Sequence, residues 1–136
     1  MRADETPGRP GREPFQYATV RIVPRVERGE LVNAGVVLFC RPLRFLGAQT
    51  RLDEALLAAL TPHCDAADVR PYLDAVERIA AGDPAGGPIA ALPQSERFHW
   101  LVAPASTIVQ PGPVHTGLTD DPEGELARLF ASLVER

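Results

Sequence analysis

The stretch "VERGELVNAGVVLFC", residues 26–40, decides the fold because it joins a charged turn to a buried strand. Its second half is β-branched and apolar on both faces of an extended chain, which is typical of a central strand. Arg28 and Glu30 precede this run, and Asn33 and Gly35 lie where it begins. The Asn33 amide needs hydrogen-bond partners there, while Gly35 lets another backbone or a ligand approach closely. The stretch indicates either a site with a strand as its floor or a turn with solvated charges.

Periodicity on both sides of this stretch predicts an α+β domain. Alternating apolar residues are typical of half-buried strands, and apolar residues at i, i+3, i+4 and i+7 are typical of helices. Strands are predicted at 17–24, 31–40, 44–51, 97–103 and 106–111, a loop at 112–121, and helices at 54–60, 68–82 and from 122 onward. Asp53, Asp68 and Asp121 stand where helix N-caps belong. The order β-β-β-α-α-β-β-α favours a mostly antiparallel sheet with helices packed on one face.

The predicted core consists of apolar residues that face inward in these elements. They are Val20, Ile22, Val36, Leu38, Trp100, Leu129 and Phe130. Replacement of a fully buried Trp100 by alanine should cost about 3–5 kcal/mol. A surface position would instead make Trp100 a candidate for an interface.

Length and composition fit a single domain. The chain has 136 residues, of which 45% are hydrophobic and 24% charged, as in ordinary soluble domains. Residues 1–14 are polar and rich in proline and glycine, which predicts a disordered tail before one domain at 15–136. No apolar run approaches the roughly 20 residues that span a bilayer, and the N-terminus lacks a signal peptide. We expect a cytoplasmic protein without a membrane partner.

Charge is unevenly distributed along the chain. The net charge of −4 argues against non-specific nucleic-acid binding, which needs a dominant basic field. All 14 basic residues are arginine, a composition typical of GC-rich bacterial genomes. Residues 15–52 hold six arginines against two glutamates, a net charge of +4. The arginines of residues 15–52 could line a local anion pocket, although a position at solvated strand edges explains the same charges.

Signatures of well-known reactions are absent from the sequence, which does not reveal whether the protein is an enzyme. It has no phosphate-binding loop, dinucleotide-binding glycine motif, zinc-protease motif or nucleophile elbow. Two weaker constellations are His63, Cys64 and His99 or His115 for zinc, and Ser106 or Thr107, His115 and Asp120 for a hydrolytic triad. Structural roles explain these residues better, and neither a metal nor a cofactor is predicted. Cys40 and Cys64 are expected to be free, buried thiols.

Two blocks of the sequence resemble one bacterial family. They are "YATVRIVPRVERGELVNAGVVLFC" (17–40) and "RFHWLVAPASTIVQPGPVHTGLTDDPEGELARLF" (97–130), and together they resemble the bacterial domain of unknown function 3037 family. The resemblance implies a small stand-alone cytosolic protein with no assigned reaction. Genes of this family are often described beside those of HipA-like kinases, so the resemblance implies such a kinase as a protein partner or a shared pathway. The positions of first interest are Arg21, Arg28, Glu30, Asn33, Gly35, Gln110, His115 and Asp121.

Two functions of different classes remain open. The first is a non-catalytic accessory or interaction module associated with a HipA-like kinase. The second is a small enzyme or ligand-binding domain that acts on a phosphorylated or nucleotide-like anion. Arg21 and Arg28 would hold that anion. Glu30 or His115 would serve as acid or base. The candidate binding cluster consists of Arg21, Arg28, Glu30, Asn33, Gln110 and His115.

A purely structural alternative also fits the opening stretch. In it, Asn33 ties down the loop at 111–118, and Gly35 marks a β-bulge.

Overall fold

A computed structural model describes residues 11–62, 64–105 and 107–135. Within them, five strands form one antiparallel sheet and four α-helices pack against it. The strands are β1 (Glu13–Ile22), β2 (Val32–Cys40), β3 (Phe45–Thr50), β4 (Val109–Pro111) and β5 (His115–Thr119). The helices are α1 (Glu54–Leu60), α2 (Ala66–Ala81), α3 (Gln94–Leu101) and α4 (Pro122–Leu133). Short 3-10 helices occur at Val26–Arg28, Pro84–Gly86 and Pro88–Ala91.

The sheet has the order β3-β2-β1-β4, and β5 also pairs with β1. On one side, β1 pairs with β2. On the other side it pairs first with β5, through residues 13–17, and then with β4, through residues 20–22. Residues 13 and 14, which the sequence assigned to a tail, therefore begin β1, while residues 1–10 of that tail lie outside the described residues. No described helix is long and apolar enough to cross a membrane.

Helices cover both faces of the sheet. Successive residues of a strand point to opposite faces, so Val37 packs with α2 and α3, while Val36 and Leu38 pack with α4. A third apolar cluster joins Ile22 to α1 and α2 on the same side as Val37. The α+β class, the antiparallel sheet and the order of three strands, a helical segment, two strands and a final helix are confirmed, with α3 as an additional helix. The prediction that all helices pack on one face is not confirmed, because α4 buries its apolar stripe against the opposite face of the sheet.

Capping residues fix where the helices begin and end. The carboxylates of Asp53 and Asp121 each accept a hydrogen bond of 3.0 Å from a backbone N–H in the first turn of the helix that follows. Both predicted N-caps are therefore confirmed. Helix α2 begins earlier than predicted, because Asp65 rather than Asp68 is its N-cap, and it ends at Gly82 with φ of 72°.

The prediction of a strand at 97–103 is wrong. This segment belongs to α3, and the last two strands come later in the chain, so β5 occupies part of the predicted loop at 112–121. Most of the predicted core is buried: Val20, Ile22, Val36, Leu38 and Phe130. Leu129 of α4 is partly buried and packs against the apolar cluster between α4 and the sheet. Trp100 is 52% exposed, so its place in the predicted core is wrong.

Candidate functional site

Three residues of the predicted cluster lie side by side across the sheet. Arg21 of β1 is the register partner of Asn33 in β2 and of Gln110 in β4. Adjacent strands are about 4.8 Å apart, so the three backbone positions fall within about 10 Å. A β-bulge produces this alignment, since Val20 pairs with Gly35 and the next residue, Arg21, pairs with Asn33. The predicted bulge therefore occurs beside Gly35, at the unpaired Ala34.

Gly35 allows the backbone of a neighbouring strand to approach. A Cβ atom at this position would lie 2.8 Å from the carbonyl oxygen of Gln49 and 2.9 Å from Cγ2 of Thr50. Both residues belong to β3, so this glycine serves the contact between strands.

The Arg21 side chain has unused hydrogen-bond donors. Its Nε is buried and has no hydrogen-bond partner in the protein. The loop after β4 packs against it, because a Cβ on Gly112 would lie 2.9 Å from both Nε and Cζ of Arg21. The hydroxyl of Thr19, two residues earlier on the same face, would lie 2.6 Å from that Cβ. Only glycine fits at position 112 while the guanidinium stays in place.

Asn33 has an unused acceptor beside this arginine. Its Nδ2 donates a hydrogen bond of 3.2 Å to the carbonyl of Leu133, in the last turn of α4. This bond fixes the amide orientation, since a flipped amide would bring two oxygens together. Oδ1 is then buried without a donor from the protein. Asn33 thus ties down α4, and the expected tie to the loop at 111–118 is not formed.

Arg28 and Glu30 lie in the turn between β1 and β2 and pair with each other. Arg28 Nη2 donates to Glu30 Oε2 at 3.1 Å, and the side chains are 58% and 28% exposed. Such surface pairs contribute little to stability. This arginine already has a carboxylate partner, which distinguishes it from Arg21.

The other two predicted residues are placed differently. Gln110 donates through Nε2 to the carbonyl of Thr107 at 2.9 Å. His115 belongs to β5, pairs with Tyr17, and its ring lies 5.2 Å from the tyrosine ring. Tyr17 precedes Arg21 by four residues, or about 13 Å of extended strand. The structure therefore aligns the backbone positions of Arg21, Asn33 and Gln110, although Gln110 also lines the apolar groove described below. It places His115 farther along the sheet.

Metal and nucleophile chemistry find little support among the described residues. No group of three or more histidine, cysteine or acidic side chains there is arranged to hold a metal ion, and His63 and Ser106 lie outside them. The hydroxyl of Thr107 donates to the carbonyl of Val109 at 2.6 Å. Burial, followed by the charges of nearby aspartates, raises the pKa of the Cys64 thiol, which disfavours the reactive thiolate. Cys40 is a buried free thiol, as predicted, while Cys64 is a free thiol that is only partly buried.

The sequence missed an apolar groove on the α2 and α3 side of the sheet. We call it the Trp100 groove. Its lining includes Tyr72, Val76, Trp100, Leu101, Pro104 and Pro111, and its volume is about 340 Å³. Trp100 is 52% exposed and Tyr72 is 45% exposed. The signal in the sequence was the pair of aromatic residues, but local periodicity placed Trp100 inside a core strand.

Comparison with known proteins identifies the family but no function. The model of the family described as "Protein of unknown function (DUF3037)" matches residues 17–134. The chain belongs to this family, as the resemblance implied. Neither a curated protein nor a solved structure matches the chain.

Proposed function

We propose that this member of the DUF3037 family is a non-catalytic interaction module that binds a protein partner through the Trp100 groove. The observation that carries the proposal is the exposure of Trp100 and Tyr72, at 52% and 45%, along one apolar groove. Exposed aromatic side chains that line a shared concave surface are typical of binding sites.

The groove is well suited to receive an apolar group from a partner. Its floor includes Val20 and Val109, which are buried in the cluster that joins the sheet to α1 and α2. A floor made from core residues is rigid, so little conformational entropy is lost when a partner docks. Tryptophan and tyrosine supply large contact areas and retain a polar atom that can hydrogen-bond at the rim.

The proposed partner is a HipA-like kinase. The support for this choice is the family resemblance and the gene neighbourhood that it implies. The groove is bordered mostly by uncharged side chains, so the partner should present an apolar side chain or turn. Charge complementarity should contribute less to the affinity than burial of apolar surface.

Fluorine NMR tests this proposal directly. Trp100 is the only tryptophan in the chain, so incorporation of 5-fluorotryptophan gives one signal that reports on the groove. We expect this signal to shift or broaden saturably when an unlabelled HipA-like kinase from the same organism is added. Absence of any change at kinase concentrations well above the micromolar range would contradict the proposed partner.

A matched pair of variants separates the groove from the rest of the surface. Tyr72→Ser removes an exposed aromatic ring from the groove and should weaken kinase binding by at least about tenfold. Leu118→Ser removes a side chain of comparable exposure, 41%, from β5 outside the groove, and should bind as the unmodified protein does. Equal weakening by both variants, with unchanged circular dichroism, would place the interface elsewhere.

A further inference from the structure

Three arginines among the described residues are at least partly shielded from solvent, and only one of them has no partner. Arg12 donates to the carbonyl of Leu118 at 2.6 Å. Arg97 donates to three carbonyls at 2.8–2.9 Å. Arg21 is partly buried, and of its donors Nε is buried without a hydrogen-bond partner among the described residues. A guanidinium group in such a place normally pairs with an anion or an acceptor.

The unused acceptor of Asn33 complements the unused donor of Arg21. The two residues are register partners on adjacent strands, and Asn33 Oδ1 is buried without a donor. An unpaired buried polar atom costs about 1–3 kcal/mol. A ligand that both accepts from a guanidinium and donates to an amide oxygen would satisfy both residues.

We infer that Arg21 and Asn33 form a binding site for inorganic phosphate, which keeps a hydroxyl at neutral pH. The guanidinium donates to the charged oxygens, and a hydroxyl of the protonated phosphate donates to Asn33 Oδ1. Sulfate carries similar oxygens but no proton at neutral pH, so it matches only half of the site. The carbonyl end of α4 near Asn33 carries about half a negative charge and opposes an anion, so the full positive charge of the Arg21 guanidinium must outweigh it.

This site is separate from the Trp100 groove. Val20 lines the groove, whereas Arg21 is the next residue in β1 and its side chain points to the opposite face. Gly112 covers the guanidinium, so the short loop around it must shift for phosphate to reach Nε. The Gly112 N–H donates to the carbonyl of Thr19 at 2.8 Å, and this is the hydrogen bond that such a shift must break.

The Arg21 Nε–H group itself is the most direct probe of phosphate binding. A nitrogen-15 NMR spectrum of the full-length protein resolves arginine Nε–H signals, and Arg21→Met identifies the signal of Arg21. We expect inorganic phosphate to shift this signal saturably, while sulfate at equal ionic strength binds about tenfold more weakly because it lacks the donor. No shift with phosphate, or equal affinity for the two anions, would overturn the inference.

Titration calorimetry with inorganic phosphate provides a second test. Arg21→Met should weaken phosphate binding by at least about tenfold. The control is Arg28→Met, which removes an arginine from the neighbouring turn that already has a carboxylate partner, and its affinity should stay within about twofold of the unmodified protein. Equal losses in the two variants would show general charge attraction and overturn the site. If Arg21→Met does not fold, Arg21→Lys takes its place in both tests, because lysine keeps the charge and removes the Nε–H signal.

Discussion

Arg97 is buried and Arg21 is partly buried, yet the protein uses their guanidinium groups in opposite ways. Arg97, on α3, is only 9% exposed and donates through Nε to the carbonyl of Leu92. Its Nη1 donates to the carbonyls of Ile79 and Ala80, in the last turn of α2. Arg21, on β1, makes none of these bonds and keeps a buried donor unused.

The difference shows that, in a chain whose basic residues are all arginine, the residue type alone does not separate a structural role from a binding role. Arg97 donates to carbonyls at the end of α2, where backbone donors become scarce, so its role is in the fold. Arg21 lies beside an unused acceptor and satisfies no group of the fold. Arrangements that add nothing to the stability of a protein are expected mainly where a ligand binds.

The largest effect should come from Arg97→Met. The substitution keeps an apolar stem of similar length but leaves the carbonyls of Leu92 and Ala80 without a donor, while that of Ile79 keeps the Gly82 N–H. We therefore expect a loss of about 2–4 kcal/mol in the free energy of unfolding. Urea denaturation measures this loss. The control is Arg78→Met, which replaces an exposed arginine near the end of α2. It should change stability by less than about 0.5 kcal/mol. A small effect of Arg97→Met would remove the basis of the comparison.

A smaller effect is expected from Asn33→Ala. It removes one hydrogen bond to Leu133 but also removes the unpaired oxygen, so we expect a loss of about 1–2 kcal/mol in urea denaturation. The bond joins α4 to β2, and hydrogen exchange should accelerate mainly at the end of α4. A loss above about 3 kcal/mol would mean that Oδ1 has a partner in the folded protein.

The smallest effect is expected from Arg28→Ala. The ion pair with Glu30 is exposed, and its removal should change the free energy of unfolding by less than about 0.5 kcal/mol. High salt should make the variant and the unmodified protein indistinguishable, because surface pairs are screened. A loss of more than about 1 kcal/mol would show that this turn is held together by the pair.

Local sequence patterns correctly predicted the strands and helices that neighbouring residues alone determine. Strand β2 follows from a dense run of β-branched residues, and α4 follows from Asp121 as N-cap with proline at the first helical position. The segment at 97–103 misled the prediction, because Phe98, Trp100 and Val102 alternate as in a strand. In the structure Phe98 and Leu101 are buried one helical turn apart. The deciding contacts of Arg97 come from α2, 17 and 18 residues earlier.

The candidate site depended on information that no local pattern contains. The sequence indicated that Asn33 needs partners, but its bond goes to Leu133, 100 residues later. The alignment of Arg21 with Asn33 depends on the bulge at Ala34, which shifts the register by one residue. The packing of α4 on the second face of the sheet was likewise not predicted, since the pattern of an amphipathic helix does not specify which face of a sheet the helix covers.

The free energy of unfolding of Arg21→Met, measured in urea with and without inorganic phosphate, tests the central claim most directly. Without phosphate, we expect the variant to lie within about 1 kcal/mol of the unmodified protein, because methionine keeps the packing of the stem and removes an unpaired donor. With phosphate, only the unmodified protein should gain stability beyond what sulfate produces. A loss of about 3 kcal/mol or more without phosphate, together with an equal response of both proteins to phosphate, would make Arg21 a structural residue like Arg97.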